Sequence, residues 1–332
     1  MPTIHVARRL LPRVIDELHA SFELTYHDSD WPPSRDDLLA ASAGVDGLCL
    51  TPSDRVDAEL LEAAGPQLRI VANHAVGYDN VDLAAASERG VLVSNTPGVL
   101  TRATAEFTIA LLLSLVRRVG EGDRHVRAGR PWILAPGFML GAGLEGRTLG
   151  IVGLGRIGQD VAGLAEAFGM RVVYTNRREI AGAAYPRLGF DELLATADVI
   201  SLHCPLTPDT RHLIDARALS LIRPGAVLVN TSRGLVVDEE ALVAALAEGR
   251  LAGAALDVYE REPEVHPGLL GLENVVLAPH LGSATTETRE AMGMLCVEAL
   301  RAVLLDGRCP ENALNPEALE IRTARGRWTA GA

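Results

Sequence analysis

Three side chains in the second half of the chain have the types that bind and protonate a carbonyl group: Arg233, Glu262 and His280. The planar fork of an arginine binds two oxygens of one ligand, so Arg233 suits the carboxylate and carbonyl of a 2-oxo acid. A histidine delivers a proton to an oxygen on which charge develops. A carboxylate against its other ring nitrogen fixes the tautomer and favours the protonated form. Together the three suit hydride chemistry, with His280 as the acid/base.

Pattern alone leaves other interpretations of these residues open. Arg233 could cap a helix or form a structural ion pair, and Glu262 could be a solvated acid beside Pro263. His280 could be a buried histidine with satisfied hydrogen bonds. Other histidines compete for the acid role, and the first two of them also follow predicted strands: His74, His203, His212 and His266.

A glycine motif lies at the centre of the elements that must position these groups. Gly153, Gly155 and Gly158 form G-x-G-x-x-G between an apolar strand at 149–152 and a helix, and Arg171–Thr175 is a second strand. The first glycine permits a tight turn, the second lets backbone N–H groups approach a pyrophosphate, and the third lets the helix pack close to the strand. The helix N-terminus attracts phosphate. The unit predicts a dinucleotide site, and an ordinary glycine-rich turn is the alternative.

The residues after the second strand bear on the choice of cofactor. An NAD enzyme usually has an acidic residue there, which binds the ribose hydroxyls. This chain has Asn176, Arg177 and Arg178, and two guanidinium groups can bind a 2′-phosphate. We therefore predict NADPH in preference to NADH, with NADH still possible, unless these arginines are merely solvated loop charges.

The bulk composition excludes several classes of protein. The formal net charge of −12 gives no basic footprint for nucleic acid and argues against an anionic membrane surface. All 31 basic residues are arginine, which excludes chemistry that needs a lysine. The four cysteines lack paired spacing, so we expect reduced thiols and no metal site. No signal peptide or membrane span is expected, and the protein is predicted to be cytoplasmic.

Strands and helices alternate along most of the 332 residues, a length that predicts two domains. Strands are predicted at 3–7, 23–26, 47–50, 70–73, 91–94, 198–203, 226–230, 253–258 and 275–278. Such alternation predicts an α/β fold with parallel sheets, in which ligands bind beyond the carboxyl ends of the strands. The loops at 50–52 and 73–77 fall at such ends, and a glycine in the second could free N–H groups for a carboxylate, although pattern alone fits an ordinary strand-to-helix turn equally well.

The segments around the glycine unit are also distinctive. Residues 95–98 form a turn cluster typical of a hinge, and 101–118 is predicted to be a helix that is apolar nearly all round. The glycine- and proline-rich stretch at 120–146 is expected to be an irregular arm that docks on a partner or lies as a surface loop. A last long helix is predicted at 285–305, and the tail from 322 to 332 is expected to fray.

The chain resembles the D-isomer-specific 2-hydroxyacid dehydrogenases, and among them most closely the glyoxylate/hydroxypyruvate reductase branch. The resemblance runs from about 46 to 315 and depends on motifs that follow the family's order. These are ANHAVGYDNVD (72–82), SNTPGVLTRATAE (94–106), LGIVGLGRIG (149–158), HCPLTPDTRHLI (203–214), LVNTSRGLVVD (228–238), ALDVYEREP (255–263) and LAPHLGSAT (277–285). His74 departs from the branch, which often has tyrosine there, and residues 1–45 match poorly.

The resemblance implies a fold, an assembly and a set of site residues. A Rossmann cofactor domain (99–284) would be inserted into a flavodoxin-like substrate domain (1–98 and 285–332), in a homodimer built around 101–146. Arg233, Glu262 and His280 would be the catalytic residues. Substrate would contact Leu50, Val76 and Gly77 in addition to Arg233 and His280. The cofactor would contact Thr104, Gly153, Gly155, Arg156, Ile157, Gly158, Asn176, Arg177, Arg178, Cys204, Pro205, Thr210, Thr231, Ser232, Arg233, Asp257, His280 and Gly282.

The predicted function is therefore an NADPH-preferring reduction of glyoxylate or hydroxypyruvate to D-2-hydroxy acids, with His280 as proton donor. One alternative is another D-2-hydroxyacid dehydrogenase of the D-lactate, phosphoglycerate or phosphite type. Formate dehydrogenases are disfavoured because they place glutamine where Glu262 stands. A non-enzymatic, corepressor-like nucleotide sensor is a further alternative, since such proteins keep the three catalytic residues.

Overall fold

The computed structural model describes residues 1–324 and divides into two compact units. Unit 1 contains Met1–Leu100 and the segment that begins at Thr285, and unit 2 contains Thr101–Ala284. Among the described residues, no helix is both long enough and apolar enough to cross a membrane.

The strands are short and follow the predicted positions closely. In chain order they are β1 (Thr3–Val6), β2 (Glu23–Tyr26), β3 (Gly47–Leu50), β4 (Ile70–Asn73), β5 (Leu92–Ser94), β6 (Thr148–Val152), β7 (Arg171–Thr175), β8 (Val199–Leu202), β9 (Val227–Asn230), β10 (Gly253–Leu256) and β11 (Val275–Leu277). The central strands β3, β4, β8, β9 and β10 are buried along their whole length, which explains why they are mostly apolar and do not alternate between apolar and polar residues.

Helices connect successive strands in both units. They are α1 (Pro12–Ser21), α2 (Arg35–Ser42), α3 (Ala58–Ala64), α4 (Leu83–Arg89), α5 (Thr101–Val116), α6 (Val119–Arg127), α7 (Arg156–Ala167), α8 (Phe190–Thr196), α9 (Ala216–Leu221), α10 (Glu239–Ala247), α11 (Pro267–Leu270), α12 (Thr286–Leu304) and α13 (Glu317–Ala324). Several begin at a residue whose side chain accepts a backbone N–H three positions on: Ser34, Asp57, Asp82, Asp215, Asp238 and Thr285.

Each unit contains one parallel sheet. The strand order is β2-β1-β3-β4-β5 in unit 1 and β11-β10-β9-β8-β6-β7 in unit 2. Tyr174 of β7 also forms a parallel bridge with Arg187, which marks the outer edge of the second sheet. The order reverses between β1 and β3 in unit 1 and between β6 and β8 in unit 2, and such reversals open a crevice at the carboxyl ends of the strands.

Both sheets are covered on both faces. Leu48 and Leu50 of β3 pack into one hydrophobic cluster of unit 1, whereas Cys49 between them packs into the other. In unit 2, Ile200 of β8 belongs to one cluster and Val199 to the other. Because successive side chains of a strand point to opposite faces, each sheet lies between two apolar layers. The predicted α/β class with two doubly wound parallel sheets is confirmed.

One prediction for the stretch at 120–146 was wrong. The chain leaves α5 at Val116, Arg118 adopts a left-handed backbone with φ 55°, and α6 follows at once. Glycines at 120 and 122 lower the helix propensity of this segment, but an acidic residue in its first turn and basic residues in its last turn favour a helix. Residues 128–147 contain neither helix nor strand.

The predicted fraying of the tail was also wrong at its start. Arg322 lies in α13 with only 4% of its surface exposed. Its guanidinium donates hydrogen bonds to carbonyl oxygens of unit 1, those of Pro66, Gln67, Leu68 and Gly90. The remainder of the predicted tail, 325–332, lies outside the described residues.

Arg322→Ala should lower the free energy of unfolding by about 3 kcal/mol, because several carbonyl oxygens lose a charged donor and a buried volume is left empty. Urea unfolding followed by circular dichroism measures this change. Thr323→Ala is the matched control, since the exposed Thr323 hydroxyl only donates back to Leu319 of the same helix. That control should change stability by less than about 0.5 kcal/mol. Equal unfolding midpoints for the two variants would contradict the anchoring role of Arg322.

Candidate active site

The three predicted catalytic residues follow three neighbouring strands of unit 2. Arg233 follows β9, Glu262 follows β10 and His280 follows β11, and these strands are adjacent in the sheet. Because the strands are parallel, their carboxyl ends lie along one edge. The order of the strands thus places an arginine, a carboxylate and an imidazole at the same edge of the unit.

His280 and Glu262 form a direct pair. The Nδ1 atom of His280 lies 2.7 Å from Oε2 of Glu262. The other carboxylate oxygen of Glu262 accepts the backbone N–H of Tyr259 at 3.1 Å. Both side chains keep more than a third of their surface exposed. Since Nδ1 is the donor to the carboxylate, Nε2 is the ring nitrogen left to exchange a proton with a ligand.

Asp257 fixes the backbone that carries His280. Its main-chain oxygen accepts the N–H of His280 at 2.9 Å, and its carboxylate oxygens accept those of Leu281 and Gly282 at 2.6 and 2.8 Å. His280 has a left-handed backbone with φ 55°, which is uncommon for a residue with a Cβ. Burial raises the pKa of the Asp257 carboxyl group, and the two N–H donors and the nearby His280 act in the opposite direction.

Arg233 lies in a loop held by a buried asparagine. Asn230 ends β9 with 1% of its surface exposed, and its amide donates to the carbonyl of Arg233 at 2.9 Å. The Oδ1 atom of Asn230 accepts from both the backbone N–H and the hydroxyl of Ser232. The guanidinium of Arg233 donates to the carbonyl of Ser232 at 2.8 Å. The backbone on both sides of Arg233 is therefore fixed.

The next residue, Gly234, joins the arginine loop to the segment that carries Glu262. A Cβ atom on Gly234 would lie 1.9 Å from the carbonyl carbon and oxygen of Tyr259. Glycine is the residue that permits so close an approach of two backbones. The Tyr259 hydroxyl in turn donates to the carbonyl of Ala278 at 2.9 Å, close to the start of the His280 turn. Tyr259 thus contacts all three segments that carry the candidate catalytic residues.

Two of the competing histidines are poor proton donors at neutral pH. Burial lowers the pKa of His203 to about 4, and its ring bonds the hydroxyl of Ser201 at 2.8 Å. In unit 1, burial and then the charge of Arg289 lower the pKa of His74 to about 4. The other two competing histidines pair with carboxylates other than that of Glu262: His212 with Glu260 and His266 with Glu240, at 3.0 Å each.

The glycine motif has the geometry that a dinucleotide turn requires. Gly153 has φ 100°, and a Cβ there would lie 2.7 Å from the backbone nitrogen of Cys204. A Cβ on Gly158 would lie 2.5 Å from the carbonyl oxygen of Gly153. A Cβ on Gly155 would meet nothing within 4 Å, so the space in front of the helix is open. These residues, with the first-turn N–H groups of Arg156 and Ile157, fit a pyrophosphate.

The three residues predicted to determine the preference for NADPH or NADH have different surroundings. Asn176 accepts the N–H of Leu154 at 2.7 Å, so its side chain braces the glycine turn. Arg177 is 75% exposed and lies 3.4 Å from the carboxylate of Asp209. Arg178 is also exposed. The two guanidinium groups are therefore at the surface just beyond β7.

The other predicted cofactor residues line the same edge of unit 2. Position 282 lies next to Thr104, because a Cβ on Gly282 would be 3.4 Å from its methyl group. Thr231 bonds the hydroxyl of Thr108 in α5 at 2.9 Å. Thr210 donates to the carbonyl of Pro205 at 2.7 Å, and Cys204 beside it is buried.

In unit 1, the predicted substrate residues lie in loops after β3 and β4. Leu50 is buried at the end of β3, and Val76 and Gly77 lie in the loop after β4. The side chains of Asn73 and Asn95 donate to the carbonyls of Gly77 and Val76, at 2.9 and 2.8 Å. These two contacts, like that of Asn230, were not predicted from the sequence. All three asparagines nevertheless lie inside motifs that carry the family resemblance, at 72–82, 94–106 and 228–238.

Comparison with known proteins gives a consistent family. The model of the D-isomer specific 2-hydroxyacid dehydrogenase, NAD binding domain, matches residues 109–282. A glyoxylate reductase of Aeropyrum pernix is 47% identical over 333 residues, covering 97% of this chain and 98% of that protein. A glyoxylate reductase of Thermococcus litoralis is 46% identical, covering 96% of this chain and 98% of that protein.

Solved structures agree with this family. The TT0316 protein of Thermus thermophilus is 47% identical with a TM-score of 0.90, over 94% of this chain and 99% of that one. An NADPH-dependent glyoxylate/hydroxypyruvate reductase of Sinorhizobium meliloti, in complex with NADP and malonate, is 36% identical. Its TM-score is 0.83, over 95% of this chain and 98% of that one. The chain therefore belongs to the D-isomer specific 2-hydroxyacid dehydrogenase family, whose members are oxidoreductases with a nicotinamide cofactor.

Proposed function

We propose that this protein reduces glyoxylate and hydroxypyruvate to 2-hydroxy acids of the D series, with NADPH preferred over NADH. The observation that carries the proposal is the pairing of His280 with Glu262 at 2.7 Å, at the strand edge that also carries Arg233. The relatives named as glyoxylate reductases support the choice of substrate. Unit 2 would bind the cofactor and unit 1 would contribute to substrate binding, with domain limits near 98 and 284.

The proposed chemistry assigns one task to each side chain. The cofactor, when bound, supplies a hydride to the carbonyl carbon of the substrate. Arg233 binds the carboxylate and carbonyl oxygens and stabilises the negative charge that develops on the carbonyl oxygen. His280 donates the proton on Nε2 to that oxygen. Glu262 holds the Nδ1 side of the ring and stabilises the imidazolium form from which the proton leaves.

Residues at the same edge of the unit 2 sheet would bind the cofactor. Gly153, Gly155 and the start of α7 would hold the pyrophosphate, and Arg177 and Arg178 would bind a 2′-phosphate. The exposure of both arginines supports the last assignment, because a solvated guanidinium can turn to an arriving phosphate at little cost. A relative that was solved with NADP is consistent with this preference.

We also propose a homodimer and a cytoplasmic location. Large apolar side chains are exposed on α6 and on the irregular stretch that follows it: Val119, Val126, Trp132, Ile133, Leu134, Phe138 and Leu140. A patch of this kind is typical of a surface that a partner covers, and a second copy of the chain is the proposed partner. The four cysteines are free thiols, which suits a reducing compartment.

Replacement of the proposed proton donor should remove most of the activity. His280→Asn should lower kcat for glyoxylate by about 1,000-fold, because the developing alkoxide loses its proton source. The KM for NADPH should change less than about 3-fold, since the variant keeps the backbone of the 280 turn. Initial rates of NADPH oxidation at 340 nm measure both constants.

The control for this variant is His266→Asn. His266 also pairs with a glutamate at 3.0 Å but lies outside the candidate catalytic group, and asparagine can still cap α11. Its kcat should stay within about 2-fold of the wild-type value. Near-normal turnover by His280→Asn would exclude the proposed role, and a wild-type protein that reduces no 2-oxo acid would exclude the proposed function.

The choice of cofactor is tested separately by a double variant. Arg177→Ala with Arg178→Ala should raise the KM for NADPH by at least about 10-fold and leave the KM for NADH nearly unchanged, because the lost charges face a group that NADH lacks. Arg250→Ala is the control, since Arg250 is an exposed arginine of unit 2 that pairs with Glu248 ahead of the amino end of β10. An unchanged KM for NADPH in the double variant would show that the two arginines are only solvated charges.

A further inference from the structure

We infer that Asn73 and Asn95 are positioning residues that turn a run of backbone N–H groups toward the substrate carboxylate. The inference deepens the proposed function and rests on it. Asn73 is fully buried at the end of β4, and Asn95 follows β5 with 8% of its surface exposed. Their side-chain amides donate to consecutive carbonyls of the loop after β4, Asn95 to Val76 at 2.8 Å and Asn73 to Gly77 at 2.9 Å.

Because the peptide bond is planar, a contact that holds a carbonyl also determines the direction of the N–H group in the same peptide. In a trans peptide the N–H of one residue points opposite to the carbonyl of the residue before it. The carbonyl of Ala75 accepts the N–H of Thr96 at 2.8 Å, so three carbonyls in succession are each bound by a donor of unit 1. The N–H groups of Val76, Gly77 and Tyr78 therefore each point away from the donor that binds the preceding carbonyl.

These N–H groups have no partner within the part of the chain that the structure describes. Val76 and Gly77 are half-buried and Tyr78 is exposed, which leaves this loop open to a ligand. Successive free N–H groups form a concave site for an anion. Because all three donors are uncharged, the site suits a small carboxylate that also has a charged partner elsewhere. The carboxylate of a 2-oxo acid is such a group.

Other contacts hold the two asparagines in place. Asn80 donates to Oδ1 of Asn73 at 3.3 Å, which leaves the Nδ2 of Asn73 to donate to Gly77. The backbone of Asn95 exchanges hydrogen bonds with Asn312, whose amide donates to the Asn95 carbonyl. Asn80 thus sets the orientation of the Asn73 amide, and Asn312 anchors the backbone that carries the Asn95 amide, so the loop is organised for an anion before one binds.

Asn95→Asp and Asn73→Asp test this inference, because a carboxylate has nearly the shape of the amide but repels the carbonyl that the amide holds. The KM for glyoxylate should rise by at least about 10-fold, while kcat and the KM for NADPH stay within about 3-fold. Asn95→Ala removes the hydrogen-bond donor without adding a charge. It is used in the same measurements if either Asp variant fails to fold. Its KM for glyoxylate should rise in the same way.

Asn315→Asp is the matched control. Asn315 is a buried asparagine of unit 1 whose amide donates to Ser87 and to the carbonyl of Val91, and whose Oδ1 accepts the N–H of Val93 in β5. None of these groups belongs to the loop after β4. Asn315→Asp should lower the midpoint of thermal unfolding as much as the Asn73 and Asn95 variants do. Its KM for glyoxylate should stay within about 2-fold of the wild-type value. A KM in the Asn73 and Asn95 variants that matches this control would overturn the inference.

Binding of oxalate separates this inference from the proposed function. Oxalate has the carboxylate of glyoxylate but no carbonyl that can be reduced, so calorimetry with NADP⁺ present measures anion binding without turnover. Weaker binding by Asn95→Asp than by Asn315→Asp supports the inference even if the wild-type protein reduces no 2-oxo acid. Equal binding by these two variants, or no binding by the wild-type protein, contradicts it.

Discussion

The arrangement of the candidate active site depends on one buried carboxylate, that of Asp257. This residue directly follows β10 and accepts three successive N–H groups from the turn at 280–282. A carboxylate with only 1% of its residue's surface exposed is costly unless such donors surround it, so the turn cannot leave Asp257 without a large loss of stability. The left-handed backbone of His280 is therefore held in place, and with it the imidazole beside Glu262.

Polar side chains at other strand ends bind loop backbone in the same way. A short polar side chain at the end of a buried strand binds backbone groups of the loop that follows. Asn230 does this for the loop of Arg233, and Asn73 does it for the loop after β4. Because buried polar groups must be hydrogen-bonded, these side chains determine which backbone groups remain for a ligand. Rigid strands and shared strand-end contacts together hold these loops in defined positions.

Sequence predicted the sheets well because their signals are local. The runs at β3, β4 and β8 are buried and mostly apolar, and the glycine motif occurs between a strand and a helix as its chemistry requires. The candidate catalytic residues were different. Local pattern left several interpretations of Arg233 and His280 open, and the resemblance to a family selected among them. Their proximity depends on the order of strands in the sheet, which no single segment encodes.

The features that sequence did not predict depend on long-range contacts. Arg322 binds carbonyls of residues more than 200 positions earlier, so nothing around it predicts that it is buried. The contact of Asn95 with Val76 spans 19 residues and joins two loops. α6 was missed for another reason, since its glycines are typical of irregular chain and the compensating charges at its ends are a weaker signal.

A crystal structure with NADP⁺ and oxalate bound tests the central claim most directly. We expect Nε2 of His280 to lie within hydrogen-bonding distance of an oxalate oxygen, Nδ1 to keep its bond to Glu262, and the guanidinium of Arg233 to contact the same oxalate. An oxalate bound by other residues, with the ring of His280 still paired to Glu262 but directed away from the ligand, would contradict it.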